Sequence, residues 1–159
     1  MEHALVGELT PHQAGRKLLE QMYVRQYGAP MPPIVKGERG KPYFFGNSVY
    51  FSISHTQNHA FCALSSRPIG IDAEELDRQI RPELARKILS PTELARYESS
   101  DNKNETLLRL WVLKEALGKR TGEGINGWPV HTDFDPNDPR ITIQHGCVVA
   151  VIQEENHVI

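Results

Sequence analysis

A single α+β domain with a weak internal echo is what this sequence predicts, on three observations. Its helix-start signals are sharp, its strands are short and clustered between turns, and the order helix, Pro/Gly-rich connection, strand, turn, strand is echoed in both halves. At 159 residues the chain is long enough for one globule with a shared core.

Thr10, Pro11 and Gln13 supply a cap, a first-turn proline and a capping-box partner, and Gly28 with Pro30 ends the segment, so residues 11 to 27 read as a helix. After a Pro-rich connection and Gly40-Lys41-Pro42, Val49, Phe51 and Ile53 alternate with other residues at strand period over 49 to 54. His55 to Asn58 form the next turn, 60 to 64 a second strand, 65 to 68 another turn and 69 to 73 a third strand. A short helix is expected over 83 to 89. Ser90-Pro91-Thr92-Glu93 then repeats the capping signal and opens another. From about 105 to 120 the chain is apolar nearly all round, with Gly122 placed to end a central, buried helix. Strands return at 141 to 143 and 148 to 152. Ala60-Phe61-Cys62-Ala63-Leu64 parallels Cys147-Val148-Val149-Ala150-Val151, which is the clearest part of the echo.

Composition narrows the function. Apolar residues are 39% and charged residues 24%, and no apolar run reaches the roughly 20 residues of a membrane span. The first eleven residues lack the pattern of a secretion signal. Cys62 and Cys147 alone make neither a disulfide framework nor a thiolate metal site, so a reducing, cytoplasmic setting is expected. The net charge of −2, with basic residues scattered, offers nothing for nucleic acid. Anionic ligands must be caught locally.

In Ile69-Gly70-Ile71-Asp72-Ala73-Glu74 the strand period puts Asp72 and Glu74 on one face, their bases roughly 7 Å apart. They can converge on a hard cation or simply form a solvated acidic strand end. On the long helix, Leu108, Trp111, Glu115 and Lys119 follow one another at helical spacing, which sets an acid on an otherwise apolar stripe. A buried carboxylate needs a partner, and three carboxylates suit magnesium better than zinc. His55, Lys41 and Arg16 are individually weak. Each alone is more often a turn or surface residue than a ligand.

Gly40-Lys41-Pro42, Phe51-Ser52-Ile53-Ser54-His55, Ile69-Gly70-Ile71-Asp72-Ala73-Glu74 and Trp111-Val112-Leu113-Lys114-Glu115-Ala116-Leu117-Gly118-Lys119, in this order and spacing, resemble the 4'-phosphopantetheinyl transferases of the two-half, surfactin-synthetase-activating (Sfp-like) type. The resemblance runs from about Gln13 to Ile152. It implies two pseudo-twofold-related halves, 1–67 and 68–159, each a small antiparallel sheet packed on a long helix, within one globular unit. It implies magnesium on Asp72, Glu74 and Glu115, and coenzyme A as substrate, held by Arg16, Lys41, His55, Lys114 and Lys119. Glu115 and Lys119 are the implied catalytic groups.

The implied reaction moves phosphopantetheine from coenzyme A to a serine of an apo acyl- or peptidyl-carrier protein and releases 3',5'-ADP. Glu115, Glu75 or a water held by the metal are candidate bases. Relative to the family, a strand and helices ahead of the first helix are expected to be missing, which trims the first half and leaves an edge that self-association can cover. Acidic Glu123 stands between Gly122 and Gly124, where the family has a basic or neutral residue. Arg78, Arg81, Arg86 and Lys87 are either a solvated face or a surface steering an acidic carrier. A coenzyme A or carrier-binding module without catalysis and a metal-dependent phosphohydrolase are the alternatives.

Overall fold

The computed structural model describes residues 1–124 and 132–155. Among these residues twelve elements follow one another: β1 (Glu2–Leu5), α1 (Pro11–Tyr27), β2 (Ile34–Lys36), β3 (Pro42–Phe44), β4 (Tyr50–His55), β5 (His59–Ser65), β6 (Ile69–Glu75), α2 (Pro82–Ile88), α3 (Pro91–Glu98), α4 (Lys103–Thr121), β7 (Ile141–Gln144) and β8 (Cys147–Gln153). The strands form two three-stranded antiparallel sheets, ordered β1-β5-β4 and β6-β8-β7, and a small β2-β3 hairpin.

The helix boundaries follow from side chains that satisfy end groups. Thr10 and Gln13 close a reciprocal capping box on α1, and Ser90 and Glu93 close another on α3. Gly122 ends α4 at φ 78°, a left-handed turn that glycine adopts without steric cost.

Each sheet has its helix. Leu18, Leu19, Met22 and Tyr23 of α1 pack with Phe51 and Cys62 of the first sheet and with Phe44. Leu107, Leu108, Leu110, Val112 and Leu113 of α4 pack with Val148, Ala150 and Ile152 of the second. The opposite face of the second sheet presents Ile71, Ala73, Cys147 and Val149 to Phe61 of β5. Strand β6 is thus sandwiched between α4 and the first sheet.

Two serines complete that junction. Ser52 Oγ accepts from the Ile71 amide and Ser54 Oγ from the Ala73 amide, each at 3.0 Å, so hydroxyls replace a strand ladder between β4 and β6. Both serines are buried. The alternation over 49 to 54 therefore does not divide an inner face from a solvent face.

On its α4 side β6 approaches the helix backbone closely at Gly70. A Cβ there would lie 1.8 Å from the Ala116 carbonyl oxygen and 2.5 Å from the Arg120 nitrogen. Gly70→Ala is expected to cost at least about 2 kcal/mol by forcing strand and helix apart, read as a lowered urea midpoint. An unchanged midpoint would show that the approach is looser.

Three strands were not evident from the sequence: β1, β2 and β3. The first corrects the expectation that no strand precedes the first helix, because Glu2 to Leu5 pair with Cys62 to His59 along the outer edge of β5. Cys62 and Cys147 are buried and free, as expected. Among the described residues no helix is long and apolar enough to cross a membrane.

Candidate active site

Because Gly70 faces α4, so do Asp72 and Glu74, two and four residues on along the same strand face. Glu115 and Lys119 lie one turn apart on the facing side of α4. The four residues line one cavity of about 240 Å³ together with Ser54, His55 and Trp111. Three carboxylates, a lysine and the end of β4 meet there.

Asp72 is the centre of this arrangement. It is 6% exposed, and its Oδ1 accepts from Lys119 Nζ at 3.1 Å and from Ser54 Oγ at 3.3 Å. Burial pushes its carboxyl up to about 7, helped by the Glu74 and Glu115 carboxylates and opposed by the Lys119 ammonium. Glu115 is raised for the same first reason, burial, with Glu74 adding to it and Lys119 and Arg78 opposing. Burial first, and like charges after it, account for both shifts.

Two of the three carboxylates pair with cations of the chain. Lys119 holds Asp72 and also donates to the Ile53 carbonyl at 3.2 Å, while Arg78 pairs with Glu74 and lies over the Trp111 ring at 5.5 Å. Among the described residues no group of three or more His, Cys, Asp or Glu side chains is placed to hold a metal ion. Yet Asp72 Oδ2 is buried without a hydrogen-bond partner among the described residues. An orphaned carboxylate oxygen, beside two further acids and a lysine, fits a hard divalent cation with oxygen ligands.

A second cavity of about 250 Å³ adjoins the first and shares Ile53 and Lys119 with it. Arg39, Lys41, Phe51 and Gly122 are among the residues lining it. Lys41 Nζ donates to the Arg120 carbonyl at 2.9 Å, near the end of α4, and its ammonium is held below the usual lysine range by burial and by Arg120. Arg39 faces Glu123 across the rim at 4.0 Å. A larger hollow, about 540 Å³, lies elsewhere, and its arginines Arg96 and Arg109 already hold the Phe134 and Pro136 carbonyls.

His55 ends β4 at the mouth of the first cavity, its imidazole lowered by partial burial, then by Lys119 and His12. Arg16 stands one helical turn beyond His12, lines neither cavity, and makes no hydrogen bond or ion pair among the described residues.

Lys114 requires a correction. It is fully buried and pairs with Glu93 at 2.7 Å, and Glu93 in turn accepts from the Ser90 and Phe134 amides. Five residues on, Lys119 faces the cavity, whereas Lys114 turns into the core between α3 and α4, so it is no ligand contact. Ser54, Arg78 and Arg39 are site residues that sequence reasoning missed. Only the position of Arg39 beside Gly-Lys-Pro and of Arg78 four residues after Glu74 hinted at them.

The chain is also similar to known proteins. Residues 68–156, more than half of the chain, match the family model described as the 4'-phosphopantetheinyl transferase superfamily, and the match includes Asp72, Glu74, Glu115 and Lys119. A 4'-phosphopantetheinyl transferase of Bacillus subtilis is 32% identical over 117 residues, 70% of this chain and 52% of the relative. The transferase gsp of Aneurinibacillus migulanus is 29% identical over 78% of this chain and 55% of its own length. HetI of Nostoc is 40% identical over 55% of this chain and 40% of its own. The chain spans about half the length of the curated relatives it matches. It belongs to the 4'-phosphopantetheinyl transferase superfamily.

Proposed function

We propose that this protein transfers the 4'-phosphopantetheine arm of coenzyme A to a serine of an apo acyl- or peptidyl-carrier protein, releasing 3',5'-ADP. The observation that carries the reading is Asp72, a buried carboxylate with one orphaned oxygen, set among Glu74, Glu115 and Lys119 where two cavities meet. Asp72, Glu74 and Glu115 would hold magnesium, which when bound neutralises charge on the pyrophosphate. Lys119, already at the junction, donates to phosphate oxygens once it leaves Asp72. Lys41 and His55 flank the phosphates from the two cavities, and Arg16, on α1 outside both cavities, is proposed as a further phosphate contact.

In the transfer, the carrier serine oxygen forms a bond to the phosphorus joined to pantetheine as the bond from that phosphorus to the nucleotide phosphate breaks. The nucleotide leaves as 3',5'-ADP and the serine proton passes to a base. Glu75 accepts from Thr56 and Asn58, so Glu115 is the better-placed carboxylate for that proton. Positioning and charge compensation supply most of the acceleration in such a step.

The two sheets with their helices support the division into halves 1–67 and 68–159 related by a pseudo-twofold axis, although 125–131 and 156–159 lie outside the described residues. A cytoplasmic setting, an acidic carrier steered by Arg78, Arg81, Arg86 and Lys87, and self-association across the outer edge of β1 complete the reading.

Release of 3',5'-ADP from coenzyme A tests it, measured with and without apo carrier. Release that depends on the carrier is expected; equal release without it would make the protein a phosphohydrolase. The Arg39–Glu123 pair gives a second test. Glu123→Gln frees Arg39 at the cavity rim and is expected to lower the KM for coenzyme A by about 2- to 5-fold, the scale of one exposed ion pair, with kcat unchanged. A raised KM would contradict this.

A further inference from the structure

Three histidines from the two sheets meet outside both cavities. His3 Nε2 and His59 Nδ1 are 2.8 Å apart, and the His3 and His145 rings lie face to face with centroids 3.6 Å apart and planes 8° from parallel. Phe61 backs His3 at 4.9 Å. His3 and His59 belong to β1 and β5, whereas His145 sits in the turn between β7 and β8, so the trio bridges one sheet to the other.

The turn is held unusually. His145 has φ 53°, a left-handed conformation that few side chains adopt, and the next residue, Gly146, accepts at its carbonyl from the Leu76 amide at 3.0 Å. The segment that carries His145 therefore also anchors the chain leaving β6, which leads to Arg78 and its pair Glu74.

This geometry tolerates few protons. One nitrogen of the 2.8 Å pair must accept, so protonating both rings would set two N–H groups against each other. A charged His3 against a charged His145 would stack two imidazolium rings in contact. The neighbouring groups do not relieve this. Glu2 on β1 is paired with Arg25 of α1, and Glu75 on β6 is committed to Thr56 and Asn58. The Met1 amine adds positive charge, while burial pushes the Cys62 and Cys147 thiols up to about 12 and about 11, leaving them neutral.

We propose that His3, His59 and His145 form a proton-operated clasp, which holds the β7–β8 turn against the β1–β5 edge near neutral pH and releases it on acidification. His3 is consistent with this: its imidazole is lowered by burial first, then by His145 and His59. A lowered folded value means that the folded state binds fewer protons than the unfolded chain. The clasp is thus fully stabilising above the ordinary value of 6.5, and its contribution is lost as pH falls through the lower folded value.

Amide exchange at Leu76, corrected for the intrinsic rate, tests the proposal in the full chain between about pH 7.5 and about pH 5. Protection is expected to fall by about 10-fold in the natural protein and by no more than about 2-fold in His145→Asn, which keeps a side chain suited to the left-handed turn. Equal losses in the two proteins would overturn the clasp. Titration of the His3 ring by NMR in the unaltered protein decides independently of whether the variant folds. A value below 6.5 is expected, and one at or above it would also overturn the proposal.

Discussion

Glu115→Gln is expected to leave the fold intact and to reduce phosphopantetheine transfer by at least about 10²-fold, the scale of losing one group that stabilises charge in the reacting complex. Glutamine keeps the size and the hydrogen-bonding reach of the side chain but removes its charge and its capacity as a base. Glu115 lies in the middle of α4, partly buried, and shares its cavity with Asp72 and Glu74. Removing one of three repelling carboxylates relieves strain in the free protein, so thermal stability should hold or rise while activity is lost. That opposite movement separates a functional carboxylate from a structural one. Activity within a few-fold of the unaltered protein would exclude Glu115 from the chemistry.

Lys114→Met is expected to do the reverse. Methionine fills the volume but leaves Glu93 without its buried ammonium partner, and breaking one side of such a pair costs roughly 3–5 kcal/mol. Glu93 is also the capping-box residue of α3 and accepts from the Phe134 amide, so its loss of charge compensation reaches two segments at once. The measurement is the urea midpoint of Lys114→Met beside that of the double variant Lys114→Met/Glu93→Leu. The double variant should recover part of the loss, because it no longer buries an unpaired acid. A single variant as stable as the natural protein would show that Glu93 finds another partner.

These two neighbours in sequence mark what could be read before the structure. Helical spacing set Glu115 and Lys119 on one stripe, and strand period set Asp72 and Glu74 on one face, because both periodicities are local properties of the backbone. The resemblance to the transferase family joined the two elements. It did not distinguish Lys114 from Lys119, since both follow Trp111 in a matching motif, and only the packing of α3 against α4 decides that one lysine is core and the other faces the cavity. Capping boxes at Thr10 and Ser90 were legible for the same local reason.

What escaped the sequence depends on distant partners. Strand β1 has no turn signal of its own and exists by pairing with β5, some sixty residues away, at an edge that periodicity cannot reveal. Ser52 and Ser54 alternate with Phe51 and Ile53, a pattern that in a half-buried strand gives the polar residues an exposed face. They are instead buried hydroxyls that satisfy the amides of β6, and Ser54 adds a contact to Asp72. Gly70 was legible as part of a motif but not as a contact, because its reason is the α4 backbone pressed against it.

The most direct test of the proposed transfer is the intact mass of an apo carrier protein after incubation with coenzyme A, magnesium and this protein, with Glu115→Gln in parallel. A gain of one phosphopantetheine unit on the carrier serine, absent with the variant, is the expected result. No gain on acyl- or peptidyl-carriers, while coenzyme A still binds, would contradict transfer and leave a binding module in its place.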